Sequence, residues 1–188
     1  MKNFVFVSGN AGKVNELRLL LPQFEISSVN LDFPEIKSLH QQETVVRKAL
    51  DAFALIKKPL VVEDTGLYLK AFQNFPGTYS KFAVQTIGID GLLKLLEGKE
   101  RGAHFLSMVA FISENNYPQI FEGWCDGKIT EAIRPPVEED LPYDVVFSPE
   151  GEERTFSQMT KEEKAKFSHR AKAFQKFAEW FGKQEGFE

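Results

Sequence analysis

Short apolar runs separated by amphipathic stretches set the layout of this chain. Phe4 to Val7 is uninterruptedly apolar and predicts a buried strand. A glycine-bearing loop follows, and then Val14 to Leu21 with helical spacing. Phe24 to Val29 reads as a second strand and residues 31–36 as an irregular connection. Ser38-Leu39-His40-Gln41 has the form of a capping box opening a helix to about Ile56, with Val46, Ala49, Leu50 and Phe53 as its core face. Leu60 to Val62 predicts a short strand, then a turn at Thr65-Gly66, a further strand, and a break at Pro76-Gly77. Ser80 to Thr86 and Asp90 to Leu96 are expected as helices ending at Gly98. His104 to Ser113 is a long apolar strand. Turns at Glu114-Asn115-Asn116 and Asp126-Gly127 suggest a meander through Pro118 to Trp124 and Lys128 to Ile133. Tyr143 to Phe147 is another short strand. Thr160 to Glu163 forms a second capping box, with helix to about Phe181. Phe167, Ala171, Phe174, Ala178 and Phe181 share one face of that helix, and its exposed side near Lys164, His169 and Arg170 is rich in donors. No repeat, low-complexity tract or linker interrupts residues 1–188, which predicts a single domain.

Composition narrows the class. With 188 residues, 43% apolar and 18 Phe, the chain can bury a sizeable core. A formal net charge of −4 argues against a protein that coats nucleic acid, while leaving room for local basic clusters around a small phosphorylated ligand. Cys125 is the only cysteine, which excludes an intrachain disulfide and a cysteine-based zinc site and fits a reducing, cytoplasmic setting. The N-terminus runs straight into a strand, and no apolar run approaches the length of a membrane span; neither a signal peptide nor a membrane helix is expected.

Two stretches carry candidate chemistry. Glu63 and Asp64 sit at the end of a strand, where neighbouring side chains point to opposite faces. Carboxylates so placed can hold Mg²⁺ or orient a water, and they also serve as plain turn formers. Ser8-Gly9-Asn10-Ala11-Gly12-Lys13 lies between a strand and a helix, an order that aims backbone N–H groups and the positive helix end at an anion. It is not a Walker A loop, because only two residues separate its glycines and Val14 stands where a Mg²⁺-binding hydroxyl would be. An ordinary strand-to-helix turn would look the same. Glu43 and Arg47, four apart, read as a surface ion pair. His40 and His104 have no second His or Cys at metal-binding spacing, and Glu138-Glu139-Asp140 reads as a solvated acidic run.

Taken in order, four stretches resemble the inosine/xanthosine triphosphate pyrophosphatase family of nucleotide hydrolases. They are Ser8 to Lys13 with Glu16; Glu63-Asp64-Thr65-Gly66-Leu67 with Pro76 to Ser80; Phe121-Glu122-Gly123 with Gly127-Lys128-Ile129; and Tyr143-Asp144 to Phe147 leading into Thr155 to Met159, Lys164 and Ser168-His169-Arg170. Glu43 with Lys48-Ala49 is a weaker fifth. The resemblance spans nearly the whole chain. It implies an α/β fold with a long twisted mixed sheet flanked by helices, and two lobes with a central cleft. It also implies Mg²⁺-dependent hydrolysis of non-standard purine nucleoside triphosphates (ITP, dITP, XTP) to the monophosphate and pyrophosphate, in a cytoplasmic homodimer with no nucleic-acid polymer or membrane as partner.

Carried residue by residue, the resemblance gives Asp64, Glu43 and Lys48 catalytic roles, with Asp64 as the base for the attacking water. Glu43, Asp64 and Glu63 would be metal ligands. Ser8, Asn10 and Lys13 would bind phosphate, and Tyr143, Asp144, Lys164, His169 and Arg170 would read the base. The family's Gly-Phe-Gly-Tyr/Trp-Asp-Pro run is here Asp140-Leu141-Pro142-Tyr143-Asp144-Val145, so Leu141 or Tyr143 would take the place of the stacking Phe. The phosphate end matches the family better than the base end. The alternatives are a nucleotide-binding protein of the same fold without turnover, and a pyrophosphatase with altered base preference.

Overall fold

The computed structural model describes residues 1–31, 34, 36–114, 117–137 and 139–187. Seven strands form one mixed sheet: β1 (Asn3–Val7), β2 (Glu25–Val29), β3 (Leu60–Leu69), β4 (Pro76–Gly77), β5 (Gly102–Ile112), β6 (Gln119–Ile129) and β7 (Phe147–Pro149). Their order is β2-β1-β3-β5-β6-β7, with β4 beside the far half of β3. β1 runs parallel to β2 and β3, and the remaining pairings are antiparallel.

Side-chain alternation on the strands builds two cores. On one face Phe4, Phe6, Val61, Val109 and Phe111 meet α1 (Ala11–Leu20) and α5 (His169–Phe181) through Leu17, Phe174, Phe177 and Phe181. Phe4 lies edge-on to Phe177, with ring centres 5.2 Å apart. On the other face Val7, Leu60, Val62 and Ala110 meet α2 (Gln41–Ile56) through Val45, Ala49 and Ala52. A third cluster, around Leu67, Phe105, Phe147 and Phe156, packs under α3 (Ser80–Leu95).

Because α1 and α2 cover opposite faces, the chain reverses its winding between β1 and β3. A crevice beyond the carboxyl ends of parallel strands at such a point is where α/β sheets bind ligands. Here the crevice has a further cause. β1 stops at Val7, opposite Val62, and β4 begins to pair only at Leu67, so that edge of β3 has no strand neighbour among the described residues from Glu63 to Gly66.

Several sequence expectations are corrected. β3 continues through Thr65-Gly66 without a turn; a Cβ at Gly66 would lie 2.8 Å from the Gly77 carbonyl oxygen, so the glycine lets β4 approach. β6 likewise runs through Asp126-Gly127, where a Cβ would lie 2.3 Å from the Ser148 carbonyl oxygen of β7. The other meander turn falls partly on residues 115 and 116, outside the described residues, as does Glu138 of the acidic run. Residues 142–145 form a 3₁₀ turn, and the strand begins at Phe147.

The first capping box is absent. His40 precedes α2, and the Ser38 hydroxyl instead donates to Glu43 at 2.6 Å. The buried face of α2 is Gln41, Thr44, Val45, Ala49 and Ala52, with Leu50 exposed and Val46 and Phe53 half-buried. Arg47 pairs with Asp51 rather than Glu43. The second capping box is present at Thr160, but its helix, α4 (Lys161–Phe167), ends at Ser168, whose hydroxyl caps a new helix at Ala171. Within α3 the expected break is Gly88, at φ +68°.

Candidate active site

A cavity of about 960 Å³ lies along the open edge of β3. Its walls include Ser8, Asn10, Lys13, Lys48, Glu63, Asp64, Tyr143, Asp144, His169 and Arg170, so ten of the residues singled out from sequence converge there. Lys164 faces an adjoining cavity of about 390 Å³ that shares Asp144. Glu43 lines neither: it is exposed in the first turn of α2, held by Ser38. The donors near Lys164, His169 and Arg170, expected on an exposed helix side, are all buried.

The phosphate-loop candidates are pre-set by their own bonds. The Asn10 side chain accepts from the Lys13 N–H at 2.8 Å, capping α1, and donates to the Asp140 carbonyl at 2.7 Å. It thereby ties this loop to the 139–144 segment. The Ser8 hydroxyl accepts from the Asn10 N–H at 3.2 Å.

Glu63 and Asp64 point to opposite faces, as adjacent strand residues must, yet both reach the cavity because no strand among the described residues covers that edge of β3. Their surroundings differ. Glu63 Oε2 lies 2.6 Å from Lys13 Nζ, and Oε1 takes Arg170 Nε at 3.1 Å and Ser107 Oγ at 2.8 Å, with Thr65 as a further donor. Burial works to raise its pKa, but Arg170 and Lys13 hold it well below the usual carboxylate range. Asp64 Oδ1 lies 2.5 Å from Lys37 Nζ, while Oδ2 is buried with no hydrogen-bond partner among the described residues. Burial raises the Asp64 pKa despite Lys37. Lys48 Nζ reaches the Glu63 carbonyl at 3.5 Å.

At the other end, buried charges alternate. Arg170 Nη1 lies 2.5 Å from Glu16 Oε2, Lys164 Nζ lies 2.5 Å from Glu16 Oε1, and Lys164 also pairs with Asp144. With Lys13 and Glu63, these groups form one chain of ion pairs joining the two ends of the site. His169 stacks on Phe105, ring centres 4.5 Å apart, and both its ring nitrogens are buried without partners among the described residues. Burial first, and then Arg170, hold it well below the ordinary imidazole pKa, so it is a neutral group with one donor and one acceptor to offer. Tyr143 is committed to structure: its hydroxyl donates to the Ser80 carbonyl at 2.6 Å, and its ring meets Phe105 edge-on. Leu141, half-buried, lines both cavities.

Gly123 of β6 explains how the start of α5 reaches the site. A Cβ there would lie 2.1 Å from the His169 carbonyl oxygen, so only glycine lets the helix seat this closely. Sequence reasoning missed four residues. Glu16 lay within the first family-like stretch but was given no role. Lys81 follows directly on another such stretch and lines the cavity. Ser107 and Lys37 carried no sequence signal.

Among the described residues no group of three or more His, Cys, Asp or Glu is assembled to hold a metal ion, and no helix is long and apolar enough to cross a membrane. Comparison with known proteins identifies the family of the chain. Residues 4–180 match the model of the Ham1 family. A Methanopyrus kandleri protein described as dITP/XTP pyrophosphatase is 42% identical over 180 residues, covering 94% of this chain and 95% of that protein. A Saccharolobus solfataricus protein of the same description is 41% identical over 177 residues, covering 93% and 91%. Among solved structures, a HAM1 protein from Coxiella burnetii superposes with a TM-score of 0.81 at 25% identity, covering 98% of this chain and 100% of that one.

Proposed function

Because this chain belongs to the Ham1 family, we propose that it hydrolyses non-standard purine nucleoside triphosphates of the dITP and XTP class to the monophosphate and pyrophosphate. The observation that carries the reading is the convergence, in one cavity, of a carboxylate with an oxygen unpartnered among the described residues, a loop that caps a helix and carries a lysine, and a buried set of donors.

The triphosphate lies against Ser8, Lys13 and Lys48, with the amides at the start of α1. Asn10 holds that loop in shape through its cap. Asp64 orients the attacking water at the α-phosphorus and takes its proton; its raised pKa brings the carboxylate nearer the basicity this step needs. Lys48 offsets the charge that moves onto the departing pyrophosphate. Glu63, gripped by Lys13 and Arg170, keeps those cations in place.

Mg²⁺ fits this site as a cation carried in with the substrate, since it takes one or two protein carboxylates and fills its shell with water and phosphate oxygens. Asp64 Oδ2 is the ligand on offer, and Glu43 is left to hold Ser38. When bound, the ion neutralises phosphate charge and makes a nearby water more acidic. At the base end Arg170, Lys164 and neutral His169 favour a keto group at purine C6; the amino group of adenine would set donor against donor. Leu141 supplies the apolar wall beside the base. Exposed Phe75 and Phe82 suit a homodimer of these single domains, in the cytoplasm.

Hydrolysis of dITP in ¹⁸O-labelled water tests the reaction. Label in dIMP marks attack at the α-phosphorus. Label in pyrophosphate, or release of orthophosphate, would refute the assignment.

A further inference from the structure

We propose that Lys37 is an exchangeable counter-ion: it occupies Asp64 in the ligand-free protein, yields to a divalent cation, and then binds the triphosphate. The inference deepens the reading above and rests on it.

The two acidic side chains of β3 are neutralised in different ways. Glu63 is locked, with cations on both oxygens, two hydroxyl donors, and a buried guanidinium among them. Asp64 has Lys37 on one oxygen and nothing among the described residues on the other, and both side chains line the cavity. The Lys37 side chain is 25% exposed, against 20% for Lys13 and 3% for Arg170, and among the described residues Lys37 is the one cation on its carboxylate where Glu63 has two. Its ammonium stands at the end of a flexible four-carbon stem, from backbone that is neither helix nor strand.

The backbone beside it is nevertheless fixed. The Ser38 N–H donates to Thr44 Oγ1 at 3.0 Å, its carbonyl accepts from Thr78 at 2.6 Å, and its hydroxyl donates to Glu43 at 2.6 Å. The base of Lys37 is therefore anchored at the cavity wall while its head can swing. A divalent cation arriving on Oδ2 would share one carboxylate with the ammonium, two positive groups within a few ångströms of each other. Lys37 then leaves Asp64, and the phosphate oxygens entering the same cavity are anions it can reach. Lys37 thus lowers the affinity of the empty site for metal and raises the affinity of the metal-loaded site for phosphate.

Two titrations test this without turnover: Mn²⁺ binding to the ligand-free protein, and pyrophosphate binding to the Mn²⁺-loaded protein. Lys37→Gln should bind Mn²⁺ about fivefold more tightly and pyrophosphate about fivefold more weakly, the scale of a partly exposed ion pair. Lys37→Arg should stay close to wild type in both. The signature is the opposite sign of the two effects in Lys37→Gln. Unchanged affinities, effects of the same sign, or both effects reversed would overturn the inference alone if wild type binds both probes and hydrolyses dITP. A wild type that binds neither probe and turns over no triphosphate would overturn this inference together with the function it rests on.

Discussion

Arg170 and Glu63 form a buried ion pair between helix α5 and strand β3, Nε to Oε1 at 3.1 Å, with side-chain exposures of 3% and 0%. A pair this deep adds little over a well-packed apolar substitute, but removing one member strands the other charge. Arg170→Ala leaves both Glu63 and Glu16 short of their shared cation and should cost about 3–5 kcal/mol of stability. Combining Arg170→Met with Glu63→Gln should recover part of that loss. Urea denaturation of the single and double variants measures both effects.

Glu16 bridges Lys164 and Arg170 without lining the main cavity. Glu16→Gln removes the charge that holds the two donors together. The KM for dITP should rise about tenfold, with kcat changed less, and preference for dITP over dATP should narrow. Steady-state kinetics with both substrates decides this.

Much of the layout was legible in the sequence. The Thr160 capping box and the break inside α3 are local signals, and local chemistry decides them. The first helix, expected from Val14, begins instead at Ala11 because Asn10 caps it. Glycines misled. Gly66 and Gly127 read as turns, although each exists so that another strand's backbone can come close, a tertiary fact invisible along the chain. The spacing of Phe167, Ala171 and Phe174 runs through the break at Ser168, so the kink that aims His169 and Arg170 inward left no trace in the hydrophobic pattern. α2 was placed out of phase because it buries small and polar residues and leaves Leu50 in solvent. Lys37 was silent because its role depends on a contact with Asp64 made across the fold.

Gly123→Ala sets a methyl group against backbone atoms of α5, 2.1 Å from the His169 carbonyl and 2.6 Å from the Ala173 nitrogen. Backbone cannot rotate away, so overpacking should cost at least about 1–3 kcal/mol. The displaced turn carries His169 and Arg170, so kcat/KM for dITP should fall even where the variant remains folded. Thermal melts and kinetics on the same preparation separate the two effects.

His169 gives the protein a predictable acid sensitivity. In the unfolded chain it takes a proton near its ordinary pKa of 6.5; in the fold, burial keeps it neutral to well below that. The unfolded state then binds more protons, so stability falls as pH drops below about 6.5, by at most about 1.4 kcal/mol per pH unit. The Glu63 pairing adds a loss of the same sign below about 4.5, while Asp64 and Asp144, raised by burial, work against it because the folded protein takes up their protons first. His169→Gln should flatten the decline between pH 7 and 5.5. Melting temperatures across that range, for wild type and variant, provide the comparison.

The role given to Asp64 is tested most directly by pyrophosphate release from dITP with Mg²⁺, measured for wild type and Asp64→Asn. Wild type should yield dIMP and pyrophosphate; the variant should still bind dITP but lose about 10²- to 10⁴-fold in kcat. A wild type that turns over no triphosphate, or an Asp64→Asn variant as fast as wild type, would contradict the account.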